Sequence, residues 1–169
     1  MATILPIQGV YPQIPDSCFL TDNATLVGDL VVGEFCSFWF QTVVRGDVNE
    51  IRIGDHTNIQ DGAVIHCTYQ KAATKIGSRV SIGHKAIIHG CTIEDEVLIG
   101  MGAIVMDHAV VEKHAIVAAG AVVPEGTRAK SGMIYAGIPA RPIKEVSPEQ
   151  IAMILRTSEN YIKYASWYT

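Results

Sequence analysis

Aliphatic residues return at every sixth position along most of the chain. They fall at Leu20, Leu26, Val32, Phe38 and Val44, at Ile53, Ile59 and Ile65, at Ile76, Ile82 and Ile88, and then at Ile93, Ile99, Val105, Val111, Val117 and Val123. Only Phe38 among these seventeen is not Leu, Ile or Val. Glycine follows several directly (Gly33, Gly54, Gly77, Gly83, Gly100), and a small residue or valine often sits four positions on, as Thr57, Ala63, Val80, Ala86, Thr92, Val97 and Ala103. A period of six fits neither an α-helix nor an alternating strand. It predicts an all-β fold, a triangular parallel β-helix. Each hexapeptide is one short side, three sides make a coil of about 18 residues, and the aliphatic side chains stack inward with coils about 4.8 Å apart. A β-sandwich is the competing architecture, and seventeen in-phase positions count against it.

Three steps break the period: Val44 to Ile53 is nine, Ile65 to Ile76 is eleven and Ile88 to Ile93 is five. The first two read as insertions at corners, which makes Cys67–Thr74 the main excursion. After Val123 the repeat ends and Pro/Gly-rich stretches follow. Ser147-Pro148-Glu149-Gln150 then starts a helix, with Ser as N-cap, Pro at the first helical position and Gln at the third. Ile151, Ile154, Leu155, Tyr161, Ile162 and Ala165 give it an apolar face, which predicts packing against the solenoid or a neighbouring subunit. The expected layout is one domain over 1–169: an extended lead-in at 1–15, the β-helix at 16–128, a loop at 129–146 and a C-terminal helix at 147–168.

Composition narrows the partners. The chain is 49% hydrophobic, so it can build a sizeable core, and its net charge of −4 argues against nucleic acid and anionic membranes. No apolar run approaches the roughly 20 residues of a membrane span. The start, MATILPIQGVYP, does not read as a signal peptide. Cys18, Cys36, Cys67 and Cys91 contain no CxxC pair, so reduced thiols and a cytoplasmic location are expected.

Counting sides assigns the polar residues to faces. Sides starting at Val44, Ile65, Ile88 and Val105 are three apart, so Arg45, His66, His89 and Met106 form one outward column. Sides starting at Phe38, Ile59, Ile82 and Ile99 carry Phe40, Asp61, His84 and Met101 on a neighbouring face, with Gln60 beside Asp61. His66 and His89 can share a metal, whereas His84 projects elsewhere. A homotrimer joining the first face of one subunit to the second face of the next would bring three histidines together at each interface. It would also cover Trp39, Phe40 and Met101. Three imidazoles with an open fourth position are the arrangement of a catalytic zinc, which lowers the pKa of bound water to about 7. Gln60 and Asp61 are placed to hydrogen-bond that water or to orient a ligand. Arg45 and Asp47 are expected to form an ion pair at the subunit interface. His56, His108 and His114 have no such arrangement and read as surface residues.

Arg45-Gly46-Asp47, Asn58-Ile59-Gln60-Asp61-Gly62, His66 and Gly83-His84-Lys85-Ala86-Ile87-Ile88-His89-Gly90 resemble the γ-class carbonic anhydrases and related hexapeptide-repeat and ferripyochelin-binding proteins. The similarity runs over almost the whole chain. It implies a left-handed β-helix trimer, with His66 and His89 from one subunit and His84 from its neighbour. It implies Zn²⁺, or Fe²⁺ or Co²⁺, as cofactor, with Gln60 at the metal-bound water and Arg45 and Asp47 at the interface. The implied reaction is reversible hydration of CO₂ by metal-bound hydroxide. The archaeal prototypes carry an acidic loop with a glutamate proton shuttle, but Cys67–Lys75 here has no acidic residue. Tyr161 or Tyr164, on the C-terminal helix, is the candidate to reach the site in its place, and Tyr161 is taken as the catalytic candidate. Gly137-Ile138-Pro139-Ala140-Arg141 is a terminal motif shared with hexapeptide acyltransferases. The competing functions are therefore an acyl-CoA thioesterase or acyltransferase, or a non-catalytic metal-binding homologue.

Overall fold

In a computed structural model that describes residues 1–168, the six-residue repeat closes into a parallel β-helix. Sixteen of the seventeen repeat positions are buried, and Leu20, in the first coil, is half-buried. The coils stack in strict register. On one face Val44 pairs with Ile65, Ile65 with Ile88, Ile88 with Val105 and Val105 with Val123. On a second face the series runs Leu20, Phe38, Ile59, Ile82, Ile99 and Val117. On the third it runs Val32, Ile53, Ile76, Ile93 and Val111. The irregular steps therefore count as single sides.

The sides turn through left-handed backbone. Phe35, Gln41, His56, Arg79, Lys85, Glu96, His108 and His114 each follow an inward repeat residue by three positions, with φ between 55 and 62°. This explains the three histidines outside the columns, since His is among the residues that tolerate this conformation best. Glycine after an aliphatic has a different cause. A Cβ on Gly100 would lie 2.4 Å from the backbone nitrogen of Ala119 in the next coil. At Gly102, with φ of +66°, nothing lies within 4 Å and only the dihedral demands glycine.

The solenoid runs further than the repeat suggested. Ala129 and Tyr135 fill the next inward positions, and both are buried. The stretch 129–146, expected as a loop, instead contains strands: Arg128–Ala129 and Met133–Ala136 continue the parallel ladders, and Arg141–Glu145 pairs antiparallel with Met133–Ala136. Alanine and tyrosine hid the periodicity. Tyr135 seals the end of the core, and its hydroxyl accepts the Lys130 N–H at 3.0 Å.

The helix spans Pro148–Ala165, with the full capping box at Ser147 and Gln150. It folds back along its own solenoid on the second face, near Ser37–Phe38 and Ser81–Ile82. Ile154 is fully buried with Ile116 and Ile134, and the Ser158 hydroxyl donates to the His56 carbonyl at 2.7 Å. No helix among the described residues is long and apolar enough to cross a membrane.

Two neighbouring substitutions should separate the two glycine roles in urea unfolding. Gly100→Ala drives a Cβ into backbone and is expected to cost about 3 kcal/mol. Gly102→Ala meets only the left-handed dihedral and is expected to cost about 1 kcal/mol.

Candidate metal centre

Register brings the first two histidines together. His66 and His89 are direct partners in adjacent parallel strands, Val64–His66 and Ile87–His89. His66 Nδ1 lies 3.1 Å from His89 Nε2. Each ring's other nitrogen meets a carboxylate: His66 Nε2 lies 2.9 Å from Asp47 Oδ1, and His89 Nδ1 lies 2.5 Å from Asp107 Oδ1. Two nitrogens bound at 2.0–2.1 Å to one tetrahedral metal sit about 3.3 Å apart. The facing pair therefore has the bite of two such ligands, and a carboxylate behind each ring is the usual outer support of a metal-bound imidazole.

His84 stands on the second face, where its Nδ1 lies 2.8 Å from Asp61 Oδ2. Its side chain is 43% exposed, against 17% for His66 and 35% for His89. Among the described residues, no three His, Cys, Asp or Glu side chains converge within one chain as a metal site.

The second-face candidates form a group of their own. Asp61, His84 and Tyr161 line a cavity of about 270 Å³ whose other walls are Trp39, Phe40, Tyr164, Trp167 and Tyr168. Trp39 packs edge-on against Tyr161 at 5.4 Å. Burial, then the Asp61 charge and Tyr164, push the Tyr161 phenol up to about 12. Both influences favour the protonated phenol, which can donate a hydrogen bond. Gln60 is buried, and its amide Nε2 donates to Asn58 Oδ1 at 3.0 Å. A larger cavity, about 520 Å³, lies around Cys18, Cys36 and Tyr168 and is lined by none of the candidate ligands.

Comparisons with known proteins identify the family. A model of the family "Bacterial transferase hexapeptide (six repeats)" matches residues 90–125. The carbonic anhydrase of Geobacillus kaustophilus is 38% identical over 165 residues, covering 98% of this chain and 90% of that protein. The chain belongs to the γ-class carbonic anhydrase-like hexapeptide-repeat family. Gamma carbonic anhydrase 1, mitochondrial, of Arabidopsis thaliana is 41% identical over 168 residues, which cover 96% of this chain but 61% of that protein. The chain thus spans about three-fifths of the length of that plant relative. A hexapeptide transferase family protein from Anaplasma phagocytophilum superposes with a TM-score of 0.95 at 40% identity, covering 99% of this chain and 98% of that one. Acyltransferases below 25% identity share the fold alone.

Within this family frame, the structure adds residues that the side count missed. Asp107 lies one coil beyond His89, two residues after Val105, and Thr68 Oγ1 donates to its second oxygen at 2.5 Å. The signal was available in the same count, one turn further on, but a single acid among surface residues does not announce itself. Arg45 and Asp47, expected at a subunit interface, pair within one chain, and Asp47 also holds His66. Partial burial works to raise the Asp47 carboxyl, but hydrogen bonds from His66 and Arg45 outweigh it and hold Asp47 below the ordinary aspartate range.

A depressed folded-state value means that ionised Asp47 stabilises the native state. This contribution is complete above the unfolded aspartate value near 3.9 and disappears as pH falls through the lower folded value. Asp47→Asn is expected to lower stability at pH 7 and to converge on wild type in acid, read from urea midpoints measured against pH.

Proposed function

We propose that the protein is a metal-dependent, carbonic anhydrase-like enzyme that interconverts CO₂ and bicarbonate. It acts as a homotrimer in which His66 and His89 of one subunit and His84 of the next hold one Zn²⁺ ion, with Fe²⁺ or Co²⁺ as the alternatives. The observation that carries this reading is the pair of facing imidazole nitrogens, 3.1 Å apart and each backed by a carboxylate. A pair is two ligands short of a tetrahedral site, and the remaining histidine of the motif stands on another face.

Exposed apolar side chains support the same assembly. Val64, Ile87 and Met106 are exposed along the His66/His89 face, and Phe40 and Met101 lie along the His84 face. Closing one face on the other buries both sets and completes the ligand set in one movement.

Held by His66 and His89 of one subunit and His84 of the next, a metal would supply a water-derived nucleophile near neutral pH. The chain's own groups prepare the surroundings. Asp47 fixes the His66 ring, and Asp61 orients His84. Gln60, anchored by Asn58, would offer its carbonyl oxygen to a water in the site. Tyr161 remains protonated and donates a hydrogen bond at the rim. Arg45 holds Asp47 and caps the edge of the interface.

The aromatic cavity beside His84 favours a second reading, because 270 Å³ is far more than CO₂ requires. Hydrolysis of an acyl-CoA thioester would use the same three histidines, with the acyl group against Trp39 and Phe40. A non-catalytic metal-binding role would keep the ligands without either turnover.

Protein purified without chelator is expected to carry about one Zn²⁺ per subunit, and His84→Ala to carry none. Mixing His66→Ala with His84→Ala subunits should restore part of the metal, since some interfaces then combine two intact halves. A metal-free wild type would sink the site, and no recovery on mixing would sink its division between subunits. Stopped-flow CO₂ hydration is expected to be fast in wild type and lost in His84→Ala. Hydrolysis of an acyl-CoA panel without CO₂ turnover would select the second reading, and metal without either activity the non-catalytic one.

A further inference from the structure

Asp55, Asp95 and Asp107 hold equivalent positions, each two residues after an inward aliphatic (Ile53, Ile93 and Val105). The first two serve the backbone. Asp55 Oδ1 accepts the Glu34 N–H of the preceding coil at 2.8 Å, and Asp95 Oδ1 accepts that of Ser78 at 2.8 Å. Asp107 departs from this pattern. The corner below it is one residue short, because Ile88 to Ile93 is a step of five. Gly90 makes the turn with φ of +56° and donates its N–H to Thr74 Oγ1 at 2.9 Å. The Asp107 carboxylate therefore serves two side chains, His89 through Oδ1 and Thr68 through Oδ2, at 2.5 Å each. A Cβ on residue 90 would come within 2.5 Å of Asp107 Oδ1, so glycine is what admits the carboxylate.

We infer that Asp107, held by Thr68, is a positioning residue that fixes His89 as the Nδ1–H tautomer and aims its unprotonated Nε2 at the point shared with His66. An ionised carboxylate only accepts hydrogen bonds, so the proton between it and His89 belongs to Nδ1, and the Nε2 lone pair is left facing His66 Nδ1. Thr68 opens the Cys67–Thr74 excursion, so this surface loop is tied through one carboxylate to a ligand ring. The purpose of the arrangement rests on the metal-site reading. The tautomer itself exists with or without metal, and the two can fail separately.

The test uses full-length, ¹⁵N-labelled protein stripped of metal, with long-range ¹H–¹⁵N correlations of the His89 ring at mildly alkaline pH. Zn²⁺ affinity is measured alongside by chelator competition. Wild type is expected to show Nδ1 protonated and Nε2 bare. Asp107→Ala should shift His89 toward the Nε2–H form and weaken Zn²⁺ binding about 10–100-fold. Asp107→Asn keeps an acceptor oxygen and should retain the tautomer with a smaller loss. Asp95→Ala, the backbone-serving equivalent, should change neither readout. Should Asp107→Ala fail to fold, Thr68→Val removes only the hydroxyl brace and is expected to weaken Zn²⁺ several-fold, so unchanged affinity there overturns the proposal. It is equally overturned by a wild-type His89 protonated at Nε2, or by Zn²⁺ binding that survives Asp107→Ala intact. Those results leave the metal site standing. A His89 tautomer set by Asp107 in a protein that takes up no Zn²⁺ upholds the positioning role and removes the metal reading.

Discussion

Each coil hydrogen-bonds to the coils above and below it through parallel ladders, and every inward aliphatic sits on its equivalent one turn away. This in-register stacking is the constraint on which everything else depends. It sets the distance between coils by backbone geometry rather than by side-chain packing. Two outward side chains at equivalent positions are therefore held one strand spacing apart, whatever their chemistry. His66 and His89 meet for the same reason that Ile65 and Ile88 do. A slip of one residue in either coil would turn one ring inward and an isoleucine out.

The same constraint explains how much could be read before the structure. Where a residue's role follows from its position in the count, the sequence was sufficient: the two columns, the buried stack and the capped helix all follow from spacing. Reading failed where a residue was atypical for its position. Ala129 and Tyr135 occupy inward sites without fitting the Leu/Ile/Val pattern, so spacing alone does not mark the last coil. Asp107 shares its position with two ordinary backbone-serving aspartates, and only the missing residue at the Gly90 corner redirects it. That five-residue step was visible as an irregularity, but its effect on a neighbouring coil required coordinates. The Arg45–Asp47 pair was legible as an ion pair, while its use of Asp47 to hold His66 was not.

The two halves of the candidate centre differ in character. The His66/His89 half is polar, supported by carboxylates on both rings. The His84 half is a hydrophobic recess walled by aromatic rings from the second face and the C-terminal helix. The high phenol value of Tyr161 belongs to this second environment, where burial and a nearby carboxylate both oppose a phenolate. Two acids thus back the His66/His89 pair, whereas Asp61 is the one acid lining the aromatic recess.

The reversed strand Arg141–Glu145 has a consequence for self-association. A parallel solenoid ends in an open ladder, and an open ladder is a template on which another coil, or another molecule, can polymerise. Here the final rung of the second face runs backwards and contains Pro142, which has no N–H to offer. A further parallel strand would meet a rung of opposite direction with one donor missing. The second face thus ends in a reversed rung rather than an open parallel one.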